Sequence, residues 1–142
     1  MVTFTLYNEF KEAQANGEID FSNDTIKCAL FESTYTPDID ADSFFDDISA
    51  NESSGTGYTS GGIALTNVTV TKDNTNDRAV IDADDVAFTG LSVDYQYVVF
   101  YKDTGTASTS TLIGYADNGS SVTLSSDDLT IQLNATGLIT VD

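Results

Sequence analysis

The 142-residue chain contains no histidine and no tryptophan, and only one cysteine and one proline. Without histidine, the Ser-His-Asp and Cys-His catalytic arrangements are excluded, and zinc loses its commonest nitrogen ligand. Cys28 has no partner for an intrachain disulfide, so cysteine usage does not report on redox compartment. Its place in an apolar strand pattern marks it as packing rather than as a nucleophile. Basic residues are scarce as well: five Lys and Arg stand against 23 Asp and Glu, for a net charge of −18. Such a surface repels phosphate backbones and anionic headgroups, so neither nucleic acid nor membrane is expected as a partner. No apolar run approaches the roughly 18 residues of a membrane-spanning helix. Met1 to Phe10 lacks the basic and apolar regions of a signal peptide. A product made in the cytoplasm, and soluble there, is the expectation.

What remains is enough for a core. Hydrophobic residues make up 40% of the chain, including eight Phe and seven Tyr. One domain spanning 1–142 is expected, with a helical arm at 1–22 and a β-sandwich at 23–142. In Leu6 to Asn16, the residues Leu6, Tyr7, Phe10 and Ala13 recur at helical steps, and Gly17 supplies a stop. A helix of about three turns is marginal alone, so it docks either on its own β core or on a neighbouring subunit.

From Ile26 the period becomes two. Ile26, Cys28 and Leu30 define one face of a strand. A polar, acidic excursion over 34–60 follows, with a short helical turn expected around Ser43 to Ile48. Connections of that length usually have a role. A parity change in Ile63 to Lys72 suggests a bulge near Asn67. Arg78 to Asp82 and Val86 to Phe88 read as further strands. Tyr95 to Lys102 is the strongest strand, with Tyr95, Tyr97, Val99 and Tyr101 on one face and Val98 and Phe100 on the other. After Leu112 to Ala116, Asn118-Gly119 reads as a turn, and strands at Val122, Leu129 and Leu138 follow. About eight short antiparallel strands with polar turns predict a mainly β, sandwich or jelly-roll-like domain with a short N-terminal helix.

Candidate chemistry is thin. Asp38, Asp40 and Asp42 open like a calcium loop, but Ser43 and Ser49 stand where an EF-hand needs glycine and glutamate. A non-standard cation site from Asp38, Asp40, Asp42, Asp46 and Asp47 and a plain solvated loop both fit the pattern, as they do at Asp82 to Asp85. Gly55 to Gly62 lacks the Lys-Ser/Thr of a phosphate-binding loop and no helix pattern follows it. No catalytic, cofactor or metal-ligating residue is assigned, and an enzyme is not expected.

Five blocks read together do carry a resemblance. They are Asp24 to Phe31 with Ser33 to Asp38, Phe44 to Ala50, Gly55 to Gly62, Asp82 to Val86, and Tyr101 to Ala107. In this order, behind a Leu-Tyr-Asn helix, they resemble a family of small virion structural proteins of tailed bacteriophages. The resemblance implies a capsid decoration (cement) protein on the outer surface of the head, with the major capsid protein as partner. Symmetry of the shell favours a homotrimer. Tyr7 and Phe10 on the helix, and Phe44 and Phe45 in the excursion, are the expected interface anchors. The alternative is a tail, fibre or neck module, with Tyr95, Tyr97 or Tyr101 as a platform for a host glycan.

Overall fold

A computed structural model describes residues 4–142. The chain builds a mainly antiparallel β-sandwich. One layer is a five-stranded sheet in the order β1 (Phe4–Leu6), β8 (Leu112–Thr123), β7 (Asp94–Asp103), β2 (Thr25–Phe31) and β3 (Ile63–Ala64). The other layer is split. It comprises β10 (Ile139–Val141), β5 (Arg78–Asp82) and β4 (Thr69–Asp73), and separately the pair β6 (Val86–Leu91) and β9 (Asp127–Ile131).

Alternation along β2 and β7 sorts the side chains into two cores. Ile26, Cys28 and Leu30 join Val98 and Phe100 in the core between the layers, while Ala29, Phe31, Val99 and Tyr101 face the opposite side. Both faces of these central strands are therefore buried, as their continuous apolar sequence requires. The second face is covered by the excursion itself. Tyr35, Phe45 and Ile48 close over it, and the Phe45 ring lies 4.4 Å from that of Tyr101 between centroids. Backbone bonds fasten the cover: Ser53 N–H donates to Leu30 O at 2.9 Å, and Phe45 N–H to Ser110 O at 2.9 Å. The excursion is thus part of the fold rather than a free element. Its helical turn, α2 (Phe45–Ile48), is anchored by Asp47, whose carboxylate accepts from the backbone amides of Ser43 and Phe44.

Helix α1 (Asn8–Ala15) closes one end. Gly17 takes φ 72°, and the Glu18 and Gly17 amides return to the Ala13 and Gln14 carbonyls. This is the left-handed stop that glycine permits without a Cβ clash. The helix straddles the edge of the large sheet, with Tyr7, just before it, in the outer core and Phe10 in the inner one.

Four details depart from the sequence reading. The helical arm expected at 1–22 is integrated into the sandwich: Phe4–Leu6 is an edge strand, pairing Phe4 with Ala116. The parity change near Asn67 is a crossing between layers, because β3 and β4 lie in different sheets; Asn67 takes φ 52° there. Asn118-Gly119 does not end a strand. β8 runs through it with an irregular register, Tyr95 opposing Val122 and Tyr97 opposing Asp117. That irregularity also moves Tyr95 to the inner core, away from Tyr97 and Tyr101.

Candidate functional site

The expected anchors are mostly interior. Tyr7 and Phe10 are 0% exposed and Phe45 is 8% exposed. Phe44 alone is half-buried, in an isolated bridge to Thr111. As surface anchors, Tyr7, Phe10 and Phe45 are therefore corrected to core residues. The same amphipathic spacing that suggested an interface docks them on their own sandwich. The tyrosine platform is likewise dismantled: Tyr95 and Tyr101 are buried on opposite faces of β7, leaving Tyr97 half-buried.

The polar clusters turn inward. The Tyr35 hydroxyl donates to Asp42 Oδ2 at 2.8 Å and lies 2.7 Å from the hydroxyl of Tyr7. Burial pushes both phenols well above their ordinary value of 10.0. Asp42 also accepts from the Asp38 amide, while Asp38 Oδ1 accepts from the amides of Asp40 and Ala41. These carboxylates hold a turn. Among the described residues, no three acidic or sulfur side chains form a metal-holding group. At Asp82 to Asp85, Asp84 accepts from Thr66 and Asn67, and Asp85 from the Leu133 amide.

The glycine-rich segment is organised by Glu52, a residue the sequence did not single out. Its carboxylate accepts from the Tyr58 hydroxyl at 2.8 Å, the Ser60 hydroxyl at 2.9 Å and the Gly61 amide at 2.6 Å. The Tyr58 hydroxyl in turn accepts from the Leu30 amide. This network seals the segment against β2. Tyr101 completes it by donating to Gly61 O at 2.7 Å. Three of the five cations are also engaged with the fold's own carboxylates, in Lys27–Asp103, Arg78–Asp73 and Lys102–Asp24.

Besides a polar hollow of about 320 Å³ beside Glu52, lined by Ser49, Ser53 and Ser60, two mainly apolar ones stay open. A groove of about 280 Å³ lies at the open edge of the sandwich. Phe4, Val98 and Phe100 form its wall on the five-stranded sheet, and Leu129, Ile131 and Leu133 its wall on the second layer. Asn118, Gln132 and Asn134 supply polar amides, and none of the described residues lining it is charged. A second hollow gathers Val70, Ala79, Val141 and Ile19 beside the helix end, where Val70 is 49% and Val141 38% exposed. Sequence reasoning missed both, because each joins segments far apart in the chain. Their geometry suits contact with another macromolecule better than bond-making chemistry. Compared with known proteins, the chain matches no family model, no curated protein and no solved structure.

Proposed function

We propose that the chain is a structural component of a bacteriophage virion, a decoration protein that binds the outer surface of the assembled head and stabilises it by bridging subunits of the major capsid protein. The observation that carries the reading is a contrast at the surface. Most polar side-chain clusters are engaged with the fold's own backbone, while an uncharged apolar groove opens on a chain of net charge −18. Such a surface suits docking on a basic protein patch and disfavours contact with packaged DNA. Sequence blocks that resemble phage virion proteins add support, since three of the five coincide with β2, the cover over its outer face and the Glu52-organised segment. A signature made of fold-fastening residues suits a structural protein rather than an enzyme.

Stabilisation follows from mass action: a protein that binds only the assembled shell shifts the equilibrium toward it. A homotrimer at a three-fold position uses the shell's symmetry most fully. Electron microscopy of intact particles tests the reading through copy number and position. Hundreds of copies over the head are expected. A few copies confined to the tail or neck would overturn the assignment.

A further inference from the structure

We infer that the groove beside β9 receives an extended segment of the partner protein, added as a strand to the free edge of β9, with apolar side chains inward and basic residues at its ends. The inference rests on the decoration reading for the partner's identity, the capsid subunit, but its geometry stands on the groove alone.

Among the described residues β9 pairs only with β6, and none of them fills the ladder on its other side. Consecutive residues from Leu129 to Asn134 line the groove. A wall that uses both odd and even positions presents the strand's edge and not one face alone. An added strand has two requirements, unpaired backbone groups along one side and a pocket for every second side chain. Phe4, Phe100 and Leu138 supply the pocket. The amides of Asn118, Gln132 and Asn134 both donate and accept, which suits the main chain of a guest.

Charge selects the kind of guest. None of the described residues lining the groove is charged, so its centre accepts neutral side chains, whereas exposed Asp127 and Asp128 lie on β9 itself. Asp85, which holds the Leu133 amide, stands at the other end. A segment with Lys or Arg at its ends gains from both sets of acids. A second copy of this chain would bring another −18 to this groove, which favours the basic partner over a second copy as its occupant.

The test uses the full chain and a short synthetic peptide alternating valine and threonine, with lysine at both ends. Residue-resolved amide exchange should slow in β9 on adding peptide, with β4, another edge strand, unchanged. Leu133→Asp should weaken peptide binding by about tenfold or more, and a thermal melt should show that the variant remains folded. Exchange in the wild-type chain reads the site even if that variant unfolds. Equal affinity for wild type and a folded Leu133→Asp variant, or protection in β4 in place of β9, would overturn the proposal. So would a peptide-free dimer abolished by the substitution, which would make a second copy the occupant. Tighter peptide binding after removal of residues 1–3 would also overturn it, by making the chain's own start the occupant. Heads separate the two readings. If the wild type ignores purified heads while the peptide still protects β9, the decoration reading fails and the strand site stands. If heads bind folded Leu133→Asp as fully as wild type, the strand site fails and decoration stands.

Discussion

The chain of hydroxyls from Tyr7 through Tyr35 to Asp42 makes a quantitative prediction about non-additivity. Tyr7 is wholly buried, and its hydroxyl meets that of Tyr35 at 2.7 Å. Tyr35 in turn donates to the Asp42 carboxylate at 2.8 Å. Tyr7→Phe removes one neutral hydrogen bond, at a cost of about 1 kcal/mol. Tyr35→Phe removes the bond to a carboxylate, about 1.5–3 kcal/mol, and also leaves the Tyr7 hydroxyl unpaired in the interior, a further 1–3 kcal/mol or so. In the double variant no hydroxyl is left stranded. Its destabilisation should therefore fall short of the sum of the single variants by about 1–3 kcal/mol. Urea unfolding curves with a common slope supply the four free energies. Additivity within about 0.5 kcal/mol would show that the buried hydroxyl finds another partner and that the network is not the lock on the excursion.

Phe10→Ala should lower stability by about 3–5 kcal/mol, read as a large fall in melting temperature, because Phe10 fills the inner core; a small fall would return it to the surface. Gly62→Ala should be severely destabilising, since φ is 75° and a Cβ there would overlap the Cys28 carbonyl oxygen. Gly105→Ala has open space and should cost only the left-handed strain, about 1–2 kcal/mol; equal melting temperatures for the two variants would contradict this packing. Burial raises the phenols of Tyr7, Tyr35, Tyr58 and Tyr101, so the fold favours their protonated forms. Their contribution is intact below the unfolded value of 10.0 and is lost as pH rises above it. Ionisation of these four phenols should therefore coincide with unfolding, stability falling by about 1.4 kcal/mol per pH unit for each, and ionisation of these four in a still-folded protein would refute the assignment. At physiological salt the protein should not retard duplex DNA in a gel, since net charge is −18, and a micromolar shift would contradict the proposed external position.

The central strands were readable because they obey one period over many residues. Ile26, Cys28 and Leu30, and likewise Val98 and Phe100, were sorted to the correct face. Tyr95 was not, because the sequence contains no mark of the register shift between Tyr95 and Tyr97. Asn118-Gly119 has the composition of a hairpin turn, but an irregular strand uses the same positive φ at Gly119. β1 was hidden because three residues that flow directly into a helical pattern carry no period of their own. Tyr7, Phe10 and Phe45 were misplaced at the surface for a related reason. An aromatic side chain on an amphipathic element reports that it will be buried, not what buries it. The groove was beyond sequence reasoning altogether: Phe4 and Ile131 meet only once the sandwich has closed.

That closure has a consequence for biosynthesis. Phe4 pairs with Ala116, so β1 leaves the ribosome long before the strand it pairs with. Joining ends so distant costs loop entropy that only late contacts offset, and folds of this kind form slowly. Until β8 emerges, one edge of β7 is unpaired, and the inner faces of β2 and β7 still await β9 and β10, which follow it. The nascent chain therefore carries sticky, unpaired edges for most of its synthesis. Its dense negative charge keeps such intermediates apart from one another by mutual repulsion. The acidity of the finished protein thus also acts earlier, as an intrinsic safeguard against aggregation during translation.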